Sequence, residues 1–241
     1  MSSIVLIPGA WLGGWAWERV TDELRNQGHD VWPVTLSGVA ERAAEAGPET
    51  DLEQHVSEVV GLIEGEDLRD VLLVGHSYGG MVVSTAAGRI ADRIGRVVYV
   101  DSGPLPEGVS QFDTNGPQEQ VAIREQVGAG YVVPPPPFDP AAEPQTLAGL
   151  SDADLATLRE RATPHPFASL TQGVSYTPEY AKLPATLFAC TIPGDAARQM
   201  IEDGHPYFAM LAGADVIELP TGHWPMFSEP QRLAEILATL T

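Results

Sequence analysis

A chain of 241 residues, 44% hydrophobic and 19% charged, carries enough apolar material for one large core and has the length of one α/β domain with an insertion. Its 33 acidic against 13 basic residues give a formal charge of −20, which repels phosphate backbones and anionic bilayers and sets aside nucleic acid and membrane as partners. No apolar run approaches the roughly 18 residues of a membrane span, and a single cysteine, Cys190, rules out an internal disulfide and fits a cytoplasmic location.

The apolar run 4–7 stops at Pro8-Gly9 and lacks a basic start, so it reads as a buried strand and not as a signal peptide. A helix is predicted over 15–27, closed by Gly28, then a second strand over 29–36. Leu52, Val56, Val59 and Ile63 share one face of a helix entered from Thr50-Asp51. A strand at 71–74, a helix at 81–90 and a strand at 97–100 follow. From 105 to 183 the regularity breaks around the four prolines at 134–137. Helices are predicted there near 118–126 and over 152–161, the second opened by a Ser151/Asp154 capping box. That stretch is too long and too apolar for a linker and predicts a lid over a core formed by 1–104 and 184–241. The alternation resumes with a strand at 185–191, a helix at 196–202, a strand at 216–219 and a helix at 230–240. Continuous apolar strands separated by helices mean a parallel sheet buried on both faces.

The segment Gly75-His76-Ser77-Tyr78-Gly79 falls between a predicted strand and a predicted helix. A serine hydroxyl is a weak nucleophile, and a sharp strand-to-helix turn lifts it clear and aims a helix N-terminus at it. An ordinary tight turn is the plain alternative. A serine nucleophile needs a base, expected late in the chain after the last strand, and His223 in Thr221-Gly222-His223-Trp224-Pro225 has that setting. His205 has no strand before it, His29 opens a strand, and His165 between two prolines is a pocket-lining candidate. His76 is expected to point back into the sheet. None has metal-ligand spacing. An oxyanion hole would use the backbone N–H groups of Tyr78 and, from the glycine-rich loop after the first strand, Ala10. Trp11 and Trp224 are predicted to touch the ligand, whereas Trp15 and Trp17 are predicted to pack. Met226 and the lid residues Val132, Val133, Phe138 and Phe167 suggest an apolar acyl or aryl pocket.

The segments PGAWLGGWAW, GHSYGGMV, YVDSGPLPEG and LPTGHWPMFSEP resemble the α/β-hydrolase superfamily, nearest to plant methylesterases, hydroxynitrile lyases and small bacterial esterases. The resemblance implies a mostly parallel eight-stranded sheet flanked by helices, with a helical cap inserted after the strand ending near Asp101. It implies no cofactor, no metal, and a Ser–His–acid triad with Ser77 and His223 in the first two roles. Two departures stand out. Pro8 and Leu12 replace histidines of the family's opening loop, and Trp224 replaces the lysine that hydroxynitrile lyases carry after the catalytic histidine.

The acid is unsettled. The family places it in Cys-Thr-x-Asp, whereas here Cys190-Thr191-Ile192-Pro193-Gly194-Asp195 aligns best with four residues deleted, the acid among them. Asp195 would then cap a helix, and Asp101, at the tip of the preceding strand, is favoured over it; a triad without an acid is the third option. The expected function is a serine hydrolase cleaving a small, largely apolar carboxylic ester, thioester or lactone through an acyl-enzyme. The expected partner is a small-molecule substrate alone, in a monomer or homodimer. A lyase or cyclase using His223 as a base, or a small-molecule receptor without catalysis, are the alternatives.

Overall fold

The computed structural model describes residues 2–241. Its elements run β1 (Ser3–Ile7), α1 (Glu18–Asn26), β2 (Asp30–Pro33), α2 (Leu52–Gly65), β3 (Val71–His76), α3 (Gly79–Arg89) and β4 (Ile94–Val100), then an insertion. The insertion holds α4 (Pro117–Val127), β5 (Val132–Val133), α5 (Asp152–Arg161), β6 (His165–Pro166) and α6 (Phe167–Thr171). The chain returns through β7 (Ala185–Ala189), α7 (Gly194–Glu202), β8 (Asp215–Glu218), α8 (Pro225–Ser228) and α9 (Pro230–Ala238).

Six strands form one parallel sheet in the order β2-β1-β3-β4-β7-β8. This corrects the eight implied by resemblance: the apolar runs supply only six sheet strands, and β5 and β6 pair antiparallel with each other in the insertion. Alternation along each strand divides the core in two. Val5 and Ile7 join Val56, Val59 and Ile63 of α2 and Val82, Val83 and Ala86 of α3 on one face. Ile4 and Leu6 join Val20 and Leu24 of α1 and Leu233 and Leu237 of α9 on the other. Every β3 side chain is buried, as a central strand covered by helices on both faces requires.

Local rules explain where the boundaries moved. The predicted helix at 15–27 begins with a 3-10 turn, Gly14–Trp17, before α1 starts at Glu18. Strand β2, at the sheet edge, runs to Pro33, whose missing N–H falls on the open side while the Val34 N–H still donates to the Leu6 carbonyl at 3.0 Å. Helix α2 opens with the Asp51 carboxylate accepting from the Gln54 N–H at 2.9 Å. In α5 the Ser151 hydroxyl accepts from the Asp154 N–H and the Asp154 carboxylate from the Ser151 N–H. No helix among the described residues is long and apolar enough to cross a membrane.

Candidate active site

The site is built from strand ends on one edge of the sheet. β3 runs straight into Ser77, whose φ of +50° is a left-handed conformation that a serine adopts only when its surroundings impose it. The imposition is visible. A Cβ on Gly75 would stand 2.5 Å from the Gly79 carbonyl oxygen, so only glycine lets the chain reverse this sharply. The Ser77 carbonyl accepts from the Gly80 N–H at 2.9 Å and from the Ser102 hydroxyl at 2.6 Å. Its side chain faces a cavity.

His223 lies on the loop after β8 and is held from three directions. Its Nδ1 is 2.6 Å from Asp101 Oδ2, its N–H donates to the Thr146 carbonyl at 2.7 Å, and its carbonyl accepts from His76 Nε2 at 2.7 Å. An ionised carboxylate only accepts, so the imidazole proton sits on Nδ1 and Nε2 is left as the basic nitrogen. Gly222 makes the loop possible, since a Cβ there would lie 2.5 Å from the Thr146 oxygen. Among the described residues no hydrogen bond joins Ser77 to His223; their loops meet through the His76–His223 bond.

Asp101 ends β4 with φ +45°. Its Oδ1 accepts from the N–H groups of Cys190 at 3.3 Å and Thr191 at 2.9 Å, and the Thr191 hydroxyl lies 2.9 Å from both oxygens. Burial opposes the charge, but the hydrogen bond and charge of His223, with the Thr191 N–H and hydroxyl, outweigh it and hold the carboxyl below the usual range. Asp195, by contrast, is 99% exposed and pairs with Arg198 at 2.7 Å. It does not cap α7, whose N-cap is Pro193; it lies inside the first turn.

His76 is fully buried and turned inward at the end of β3, edge-on to the core residue Trp17, and it also reaches the site. Its ring lies 4.6 Å from that of His223 and 5.2 Å from that of Trp224. A carbonyl only accepts, so Nε2 carries its proton. Burial first, then the neighbouring His223, push its pKa down to about 3.

Ala10, Trp11, Ser77 and Tyr78 line a cavity of about 300 Å³ together with Phe112, Leu170, Val133 and Pro134 to Pro137. Gln111, Asn115 and Gln126 add neutral amides to the lining, and no charged residue contributes to it. The N–H groups of Ala10 and Tyr78 meet no acceptor in the hydrogen bonding of the described residues. Trp224 is not in the lining: it is 4% exposed and packs against His76, His223 and Phe138. Phe138 and Met226 share that buried cluster, so of the expected apolar wall only Val133 reaches the cavity. His165, expected at the pocket, is buried behind it. Among the described residues no group of three or more His, Cys, Asp or Glu could hold a metal ion.

Thr191, Ser102 and His76 went unassigned by sequence reasoning. Thr191 alone carried a signal: it belongs to the Cys-Thr pair after which the resemblance places the acid, and its N–H and hydroxyl face Asp101.

This arrangement has relatives along its whole length. A carbendazim hydrolyzing esterase from Nocardioides sp. (strain SG-4G) is 33% identical over 261 residues, covering all of both chains. A putative chloroplastic methylesterase of Arabidopsis thaliana is 26% identical over 98% of this chain and 71% of its own length. Among solved structures, an extracellular alpha/beta-hydrolase from a Paenibacillus species superposes with a TM-score of 0.79 at 25% identity. It covers 100% of this chain and 99% of its own, and is described as sharing structural and functional homology with tobacco salicylic acid binding protein 2. The sequence profile of the Alpha/beta hydrolase family matches residues 4–236, and the chain belongs to that family.

Proposed function

We propose that the protein is a serine hydrolase of small, neutral, largely apolar carboxylic esters, with thioesters and lactones in the same reach. The bond between His223 Nδ1 and Asp101 Oδ2 carries this reading, because it fixes the tautomer that leaves Nε2 basic. Ser77 Oγ attacks the carbonyl carbon as His223 Nε2 takes its proton, and the carbonyl electron pair moves onto oxygen. That oxyanion lies against the free N–H groups of Ala10 and Tyr78. The tetrahedral intermediate expels the alcohol, which takes the proton from His223. Water, deprotonated by the same nitrogen, then attacks the acyl carbon, and Ser77 Oγ leaves with that proton as the acid is released. Esterase and methylesterase relatives support the ester chemistry, and a lining without charge supports a neutral substrate. In this reading the insertion at 105–183 is the cap that closes the pocket, Trp11 touches the ligand, and the buried single Cys190 is compatible with a cytoplasmic enzyme.

The test pairs a short-chain aryl ester with a serine-directed fluorophosphonate, following turnover and intact mass for the wild type and Ser77→Ala. Turnover and labelling in the wild type, both absent from the variant, are expected. Labelling without turnover on several esters would favour a lyase or cyclase, and identical behaviour of both proteins would remove Ser77 from the mechanism.

A further inference from the structure

Two buried imidazoles stand behind the cavity wall and take no part in the chemistry above. His55, on α2, is 0% exposed, and His165, on β6 of the insertion, is 1% exposed. Their tautomers follow from their neighbours. The Trp11 N–H, 3.2 Å from His165 Nδ1, can only donate, so that nitrogen accepts and the proton sits on Nε2. Nε2 donates to the Ser169 hydroxyl at 2.9 Å, which donates in turn to the Pro166 carbonyl at 2.7 Å. In His55, Nε2 faces the Ser37 carbonyl at 2.9 Å and must carry the proton. Nδ1 therefore accepts from the Tyr78 hydroxyl at 2.7 Å. Both rings accept from a residue at the proposed oxyanion hole, and burial holds both neutral.

Trp11 follows Ala10 directly and has φ +68°, a conformation tryptophan does not keep unaided. The insertion holds it there through three bonds: N–H to His165, carbonyl from the Thr163 N–H at 3.0 Å, and indole N–H to the Val133 carbonyl at 3.2 Å. Released, the residue would relax toward negative φ and swing the Ala10–Trp11 peptide, and the Ala10 N–H, one peptide earlier, would shift as Ala10 adjusts to that swing. Here imidazole support reaches the loop from the insertion.

We propose that His165, and with it His55, are positioning residues: they fix, through the Trp11 N–H and the Tyr78 hydroxyl, the backbone that aims the Ala10 and Tyr78 N–H groups at the oxyanion. This rests on the hydrolase reading of Ser77. The insertion then does more than shape the pocket, because it completes the hole.

The experiment compares His165→Leu, which removes the acceptor, with His165→Asn, which keeps a polar acceptor at the δ position, and His55→Leu with Tyr78→Phe. Each is measured for kcat and KM on a short-chain aryl ester, for thermal unfolding, and for inhibition by an aryl trifluoromethyl ketone. Addition of Ser77 Oγ to that ketone, with its proton passing to His223, forms an oxyanion without a leaving group, so Ki reads the hole alone. His165→Leu and His55→Leu are expected to lose roughly 10–100-fold in kcat with KM within about threefold, since a misplaced donor costs nearly as much as a missing one. Ki should rise by the factor by which kcat/KM falls, and His165→Asn should recover most of the loss. Unchanged kcat and Ki in a folded His165→Leu, or a change in KM alone, would overturn the proposal. If the leucine variants do not fold, Tyr78→Phe and His165→Asn decide: Tyr78→Phe must lower kcat and raise Ki by matching factors, about tenfold, while His165→Asn keeps both near wild type. No effect in Tyr78→Phe, or an inert His165→Asn, overturns it. Ser77→Ala separates the two readings. If that variant still turns over, the hydrolase reading fails and this one with it; if it is dead while His165→Leu is untouched, only the positioning role fails.

Discussion

An aspartate follows each of β4 and β7, both between Ser77 and His223 in the chain, and the two have opposite surroundings. At the tip of β4, Asp101 is mostly buried and meets two backbone N–H groups, a threonine hydroxyl and an imidazole. Beyond β7, Asp195 projects from the first turn of α7 into solvent and meets one arginine. Chain order, residue type and approximate place in the topology are the same for both. What differs is how many donors converge on each carboxylate. Strand pairing produces that difference: β7 lies beside β4, so its end brings the Cys190 and Thr191 N–H groups to the tip of the neighbouring strand.

Three measurements bear on this contrast. The largest effect belongs to Asp101→Asn. An asparagine amide facing Nδ1 favours the other imidazole tautomer, and kcat is expected to fall about 10³–10⁴-fold, as for other triad acids, with KM little changed. A loss below tenfold would mean that the carboxylate only braces the loop.

The second concerns the buried side of the same network. His76 titrates near 3 in the fold against 6.5 in the unfolded chain. Between those values the unfolded state binds more protons, so the stability from His76 is fully present above pH 6.5 and is lost as pH falls toward 3. The slope is about 1.4 kcal/mol per pH unit, or roughly 2–3 kcal/mol between pH 6.5 and 4.5. His55 and His165, whose values burial also lowers, steepen the same limb. Urea unfolding at both pH values should show a shallower dependence in His76→Gln, and an unaltered slope would contradict a buried neutral ring.

The smallest effect is expected at Asp195→Asn, which removes only an exposed pair with Arg198. Activity within twofold of wild type and an unmoved unfolding midpoint are expected. A loss comparable to that at Asp101 would reverse the contrast between the two loops.

Much of this molecule is legible from residue order. Apolar runs separated by amphipathic segments mark all six sheet strands, and the glycines around Ser77 mark the turn, because such patterns reflect burial and backbone sterics that act locally. The count of eight strands came from likeness and not from the runs themselves. The insertion was harder to read: 152–161 carries its own capping box, but α6, five residues after Pro166, has no period long enough to detect. Side-chain direction was hardest. The rings of His76 and Trp224 are set by a loop more than 140 residues away from the elbow in sequence, and the partners that distinguish Asp101 from Asp195 are equally remote.

The four consecutive prolines in the cavity lining have a consequence for what can lie against them. Proline has no amide hydrogen, so that wall can accept hydrogen bonds but cannot donate one from its backbone. A guest carbonyl gains no hydrogen bond from that backbone, whereas the Ala10 and Tyr78 N–H groups of the same cavity are unclaimed. Because proline rings have little torsional freedom to lose, this part of the lining is stiff before any guest arrives.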